Sequence, residues 1–159
     1  MEKEAMQSIH WDIKRFKDLT IDELYDLLRL RVDVFVVEQA CPYPELDGKD
    51  THEETLHVTA LTENKTLAAY LRILAPGVSY PHVSFGRVLV AEKFRGKGLS
   101  HTLVENALAV IQERWPGQQI TIGAQEHLKT FYQSHGFIPT SDTYLEDNIP
   151  HMDMTRKHP

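Results

Sequence analysis

Two glycines one residue apart stand in Arg95-Gly96-Lys97-Gly98-Leu99-Ser100, between the apolar run Val88-Leu89-Val90 and a helical pattern. Glycines at this spacing let the backbone fold tightly and bring its amides close to a ligand. A helix start adds unpaired N–H groups and the positive end of the peptide dipole, so the junction suits an anion such as pyrophosphate. Arg95 and Lys97 add positive charge in a chain whose net charge is −6. The plain alternative is a glycine turn with a solvated basic pair. Two nucleotide signatures are excluded by spacing. A Walker loop needs Gly-Lys followed by Ser or Thr, which neither Gly48-Lys49 nor Gly96-Lys97 provides. A Rossmann fingerprint needs a third glycine three residues beyond Gly98, where His101 stands.

A second concentration of chemistry lies in the acidic segment. Glu45, Asp47, Asp50, Glu53 and Glu54 oppose a single Lys49. Such a run either attracts a cationic amine or is a solvated loop, the commoner role of charge runs. Asp47-Gly48-Lys49-Asp50 lacks the spacing of a calcium loop. None of the nine histidines falls in a His-Glu-x-x-His or comparable pair, so no metal is expected.

The elements that must position these residues follow from periodicity. Ile9 to Ile13 alternates as a first strand, and Thr20-Ile21-Asp22-Glu23 has capping-box spacing ahead of a helix. That helix carries Leu24, Leu27, Leu28, Arg31, Val34 and Phe35 at helical intervals. Cys41 to Glu54, with two prolines and Gly48, reads as a loop. His57–Thr62 and Thr66–Leu74 read as strands joined by the turn Glu63-Asn64-Lys65, and Val83–Val90 as a third. Leu99, Leu103, Ala107, Val110 and Ile111 form one helical stripe that stops at Trp115-Pro116-Gly117. A short strand over Gln119–Gly123 and a helix with Leu128, Phe131 and Tyr132, closed by Gly136, precede final strands from Phe137 onward and at Met152-Asp153-Met154. The order predicts an α+β or mixed-sheet α/β fold.

The length of 159 residues and the absence of a linker fit one domain over residues 1–159. A hydrophobic share of 42% beside 25% charged residues excludes wholesale disorder. The lone Cys41 excludes a disulfide framework, and the negative charge argues against nucleic acid or an anionic membrane as partner. The acidic start at Met1-Glu2-Lys3-Glu4-Ala5 is unlike a secretory signal, and no apolar run approaches ~18 residues, so a cytoplasmic location is expected.

Lys93-Phe94-Arg95-Gly96-Lys97-Gly98 resembles the acyl-CoA-binding motif of the GNAT N-acetyltransferases, with Lys93 at the usual Gln or Arg position. Phe131-Tyr132-Gln133-Ser134-His135-Gly136-Phe137 resembles that family's Phe-Tyr-x-x-x-Gly-Phe segment, with Gln125 where Asn is common. From about Trp11 to Arg156 the chain is similar to the ElaA-type subgroup, through Arg31 to Gln39, Cys41-Pro42-Tyr43, Asp47 to Asp50, Gly86-Arg87-Val88, Ala124 to Leu128 and Ile149-Pro150-His151. The resemblance implies acetyl-CoA as co-substrate and a mixed, mostly antiparallel sheet splayed in the middle and flanked by helices. It implies cofactor contacts at Val88, Leu89, Val90, Arg95, Gly96, Lys97, Gly98, Leu99, Ser100, Gln125 and Phe131. An acceptor pocket is expected around Phe35, Gln39, Asp47, Arg72, Arg87 and His151. Many members of the family pair as dimers, which puts a homodimer among the expectations.

The implied reaction sets its own demands. A lysine-like amine of pKa ~10.4 must lose a proton to attack a thioester, which is uphill by about 4.6 kcal/mol at pH 7. A general base contributes ~10²–10⁴ in rate. Glu38, Glu45, Asp47, His57 and His151 are the candidates; Glu38 is the first choice, and His57 reads as a hydrogen-bonded core residue. Tyr132 holds the family's general-acid position. A phenol is a weaker acid than a thiol by about 2 kcal/mol, so Tyr132 is expected mainly to hydrogen-bond the departing thiolate. Two rivals remain: an acyl-homoserine-lactone synthase using acylated carrier protein, and a noncatalytic acyl-CoA sensor or toxin-neutralising partner. The acceptor, expected to be a small-molecule or peptide amine, is not named by the sequence.

Overall fold

In the computed structural model, which describes residues 8–157, two antiparallel sheets meet along a single seam. The first contains β1 (His10–Arg15), β2 (Leu56–Leu61), β3 (Leu67–Leu74) and β4 (Ser84–Val90), in that order. The second has β5 (Ile120–Gln125) beside β8 (Ile149–Arg156), which also pairs with β6 (Ile138–Pro139) and β7 (Tyr144–Glu146). A parallel bridge between Val83 and Ile120 joins the two, with the Thr121 amide donating to the Val83 carbonyl at 3.0 Å. This is the expected α+β arrangement, and past that bridge β4 and β5 part.

Among the described residues three α-helices flank the sheets: α1 (Ile21–Arg31), α2 (Leu99–Arg114) and the short α3 (Lys129–Gln133). The capping box at the start of α1 is formed in full. Glu23 N–H donates to the Thr20 hydroxyl at 3.0 Å, and the Thr20 amide donates to the Glu23 carboxylate at 2.8 Å. β3 separates the helices by simple alternation. Leu71 and Ile73 join the core that receives Leu103, Ala107 and Ile111 of α2, whereas Tyr70 packs with Leu27 of α1. Arg72 follows the same alternation onto the α1 side.

One element departs from its expected form. The helix anticipated through Phe35 ends as an α-helix at Arg31 and continues as a π-helix over Val32–Glu38. Its wider turns close with the Gln39 amide on the Val34 carbonyl and the Cys41 amide on the Val36 carbonyl, each five residues back. An apolar stripe at intervals of three and four is compatible with either winding over so short a stretch, so periodicity could not separate them. Across the molecule, Asp147 and Asn148, at φ 50° and 64°, turn β7 back onto β8 and set His151 opposite Gln125.

Candidate active site

The parting of β4 from β5 opens a cavity of about 850 Å³, walled by Val88–Val90 on one side and Ala124 and Gln125 on the other. Phe35, Glu38 and Gln39 reach it from the π-helical segment, Asp47 from the acidic loop, Arg72 from β3 and His151 from β8. Arg87, Arg95 and Tyr132 also line it. Leu89 is only 4% exposed and packs with Tyr70, so its side chain belongs chiefly to the α1 core.

The glycine junction lies at the head of α2. Gly96 and Gly98 have φ of 79° and 78°, the left-handed region that favours glycine, and open space surrounds both. Gly98 is the helix cap, and the first amides turned back into the helix are those of His101 and Thr102, on the Gly98 carbonyl. The amides of Gly98, Leu99 and Ser100 find no backbone acceptor among the described residues, and no acidic side chain stands in the first turn. These features fit a diphosphate. Leu99 is buried in the core, and Phe131 sits off the cavity wall, its ring 4.7 Å from that of His101.

Arg95 is not free to act as a point charge. Its guanidinium grips both oxygens of Glu38 at 2.8 and 3.0 Å, and its Nε donates to the Val90 carbonyl at 2.8 Å. Beside this clasp, the Gln125 amide donates to the Gln39 side-chain oxygen at 3.3 Å. The π-helical segment is thereby tied to both edges of the opening. The hydrogen bonds from Arg95 hold the Glu38 carboxyl below its ordinary pKa, opposite to what a general base needs. Both Glu38 oxygens are thus engaged in a clasp with Arg95.

Tyr132 is 5% exposed, packed edge-on to Phe131 and Phe137, and its hydroxyl has no hydrogen-bond partner among the described residues. Burial raises the phenol's pKa, so it stays protonated and able to donate. His151 contacts the Ile149 carbonyl through Nδ1 at 2.7 Å. A carbonyl only accepts, so the contact places a proton on Nδ1. The Glu146 carboxylate lies 3.5 Å from His151 Nε2.

Three of the five carboxylates of the acidic loop are held in ion pairs, while Glu53 and Glu54 are exposed. Glu45 and Asp50 are 5% and 6% exposed, each held by the fully buried Arg31 at 2.8 and 2.7 Å. Arg72 donates to both Asp47 oxygens and to Asp50, and is itself 3% exposed. Burial works to raise both aspartates, but hydrogen bonds from Arg72 and Arg31 outweigh it and hold them below the ordinary carboxylate range. Glu45, Asp47 and Asp50 therefore offer little uncompensated charge to a cationic substrate, whereas Glu53 and Glu54 are exposed, and Arg72 and Asp47 serve first to fix the loop. Arg31 was legible as a charge at a core position of the α1 stripe, and Arg72 as one between Leu71 and Ile73. Such placements signal buried ion pairs. His57 is a core residue as expected, joined to the Tyr70 hydroxyl at 2.7 Å and the Asp50 carbonyl at 3.0 Å.

Sequence reasoning missed the irregularity in β4. Tyr70 pairs with Leu89 and Arg72 with Gly86, so Leu71 alone opposes Arg87 and Val88. This two-against-one count is a bulge, which leaves a residue unpaired in the ladder. Arg87 takes φ 52°, a conformation that costs a non-glycine residue ~1–3 kcal/mol. Its Nε donates to Glu45 at 2.8 Å, and its guanidinium lies 5.6 Å from the Tyr43 ring centre.

The sheets part beside a glycine junction at a helix start, with a buried tyrosine on the cavity wall. Residues 26–158 match the model of the acetyltransferase (GNAT) domain, and the chain belongs to that family. It is 42% identical to the protein ElaA of Escherichia coli over 94% of this chain and 97% of that one. The crystal structure of that protein superposes with a TM-score of 0.88, covering 94% of this chain and 99% of its own. An acyl-CoA N-acyltransferase from Pseudomonas aeruginosa, 44% identical, gives 0.89 over the same shares. A CoA-dependent acyl-homoserine lactone synthase shares the fold at 21% identity and a TM-score of 0.74, over 96% of this chain and 83% of that one.

Proposed function

We propose that the protein transfers an acetyl group from acetyl-CoA to a primary amine by direct attack within the cavity between β4 and β5. The carrying observation is the Tyr132 hydroxyl, buried, protonated and unpartnered among the described residues, at the wall of a cavity that Val90 and Arg95, next to the glycine junction, also line. The amides at the head of α2 hold the diphosphate of acetyl-CoA. Its pantetheine arm runs between Val88–Val90 and Gln125. The thioester supplies the electrophilic carbonyl, and the backbone freed by the β4 bulge donates to its oxygen.

His151 Nε2 takes a proton from the attacking amine as the C–N bond forms. As the C–S bond breaks, Tyr132 donates its hydrogen bond to the departing sulfur. Its raised pKa makes full proton transfer still less favourable than for a free phenol, so stabilisation of the thiolate is its main work and solvent supplies the final proton. Phe35, Gln39, Arg87 and His151 line the acceptor side.

A thiol-release screen with acetyl-CoA across an amine library tests the reading. Tyr132→Phe should lower turnover about 10–100-fold while calorimetric affinity for acetyl-CoA changes less than about threefold. Unchanged turnover removes Tyr132 from the reaction. No thiol release with any amine despite tight acetyl-CoA binding turns the assignment toward a noncatalytic sensor, and lactone formed only from acylated carrier protein turns it toward the synthase.

A further inference from the structure

The ion pairs around the acidic loop leave one cation over. Glu45 is held by Arg31 and Arg87, Asp50 by Arg31 and Arg72, and Asp47 by Arg72 and, at 3.5 Å, by Arg87. Three guanidinium groups thus balance three carboxylates, and Arg95 balances Glu38. Lys49 stands two residues from Asp47 and one from Asp50, yet its ammonium lies within ion-pair distance of no carboxylate among the described residues. Asp47 Oδ1 takes the Lys49 backbone amide instead, at 3.1 Å, while the side chain reaches across to donate to Ser79 Oγ at 2.7 Å.

Lys49 and Ser79 both line the cavity. Ser79 is held there by the turn between β3 and β4, in which the Gly77 amide donates to the Tyr80 carbonyl at 2.7 Å and the Tyr80 hydroxyl donates to Asp153 at 2.9 Å. Because Ser79 Oγ accepts from the ammonium, its own proton is left to donate. The remaining ammonium protons and that hydroxyl are donors side by side, an arrangement that suits the two oxygens of a carboxylate. The β7–β8 hairpin carries the opposite sign. Glu146 and Asp147 line the same cavity beside His151, and no lysine or arginine lies within ion-pair distance of either among the described residues. A cavity with a cation on one wall and carboxylates on another complements a zwitterion.

We propose that the acceptor is an amino acid: its carboxylate is bound by Lys49 Nζ and Ser79 Oγ while its amine faces His151 and the thioester. This rests on the acetyl-transfer reading of the cavity and names the substrate class.

The probes are glycine, β-alanine, 4-aminobutanoate and 6-aminohexanoate, each beside its carboxamide, so that the span between amine and carboxylate varies while the amide removes only the charge. Thiol release from acetyl-CoA gives kcat/KM for every pair. Comparing the acid-to-amide preference of the wild type with that of a variant cancels the intrinsic reactivity of each amine. The preference for the best acid should fall about 10–100-fold in Lys49→Gln and be largely kept in Lys49→Arg. Ser79→Ala, which leaves the ammonium in place, should lower it about threefold, and this arm decides the matter if Lys49→Gln does not fold. An equal loss for acid and amide in Lys49→Gln would make Lys49 a structural residue, and a preference unmoved by Lys49→Gln or by Ser79→Ala would mean that no carboxylate is bound there; each overturns the proposal.

Calorimetry with the same four acids, without acyl-CoA, keeps the two readings apart. Uptake that Lys49→Gln abolishes, in a protein that releases no thiol, upholds the carboxylate site and overturns acetyl transfer. Transfer to amines with no acid favoured over its amide upholds acetyl transfer and overturns the site. Neither uptake nor transfer overturns both.

Discussion

At the scale of single residues, the chemistry depends on which groups keep a proton and which keep a lone pair. Tyr132 and His151 differ in this first by type. One is a phenol whose pKa burial raises; the other is an imidazole whose Nδ1 is committed to the Ile149 carbonyl. His151→Gln retains a polar side chain without a basic nitrogen. With an amine that supports thiol release, turnover should fall ~10²–10⁴-fold, acetyl-CoA affinity should hold, and the acidic limb of the pH–rate profile should disappear. A limb that survives the change assigns the base elsewhere. Glu146→Gln should cost less than tenfold, because Glu146 is 60% exposed on its side chain and water replaces much of its field. The Phe131-Tyr132 block was legible in the sequence as a motif, but the orientation of the His151 ring was not, since it depends on a carbonyl two residues back meeting Nδ1.

At the scale of elements, the segment that the sequence presents as the end of a helix becomes a strap across the cavity. Glu38 and Gln39 close on Arg95 and Gln125, one from each edge of the splayed sheet. Glu38→Gln should therefore raise both the association and the dissociation rate of acetyl-CoA in stopped-flow measurements. Turnover should change by less than about tenfold, and melting temperature by about 2 °C or less, since an exposed ion pair contributes only ~0–1 kcal/mol. A hundredfold loss of turnover with loss of the acidic limb would instead return Glu38 to the role of base. The capping box, the Glu63–Lys65 hairpin turn and the glycine junction were all readable from sequence because each is a local pattern. The π-helical winding and the β4 bulge were not. The residues in them meet partners far along the chain, Arg95 for Glu38 and Glu45 for Arg87, 57 and 42 residues away, and such contacts leave no local period.

At the scale of the whole molecule, the site and the fold share their ionisable core, so acid should act on both. His57, 1% exposed, has its pKa lowered by burial from 6.5, and the partly buried His135 is lowered by its burial and by His101. In both cases the unfolded chain binds a proton that the folded chain refuses. Their contribution is therefore present above pH 6.5 and is lost as pH falls below it. Asp47 and Asp50, lowered by Arg72 and Arg31 against the effect of burial, contribute above the ordinary carboxylate pKa of 3.8 and lose that contribution as pH falls further. The melting temperature should therefore be level between pH 7 and 8, decline below about 6.5, and drop again below about 4. His57→Gln should lower the plateau, because it disturbs the contacts to Tyr70 and Asp50, yet flatten the first decline to what His135 leaves. Calorimetric melts of both proteins from pH 8 to 3 check this. A wild-type melting temperature unchanged between pH 7 and 5 would mean that the buried imidazole is protonated without penalty, and that the tie from Asp50 through His57 to Tyr70 does not couple the acidic loop to the core.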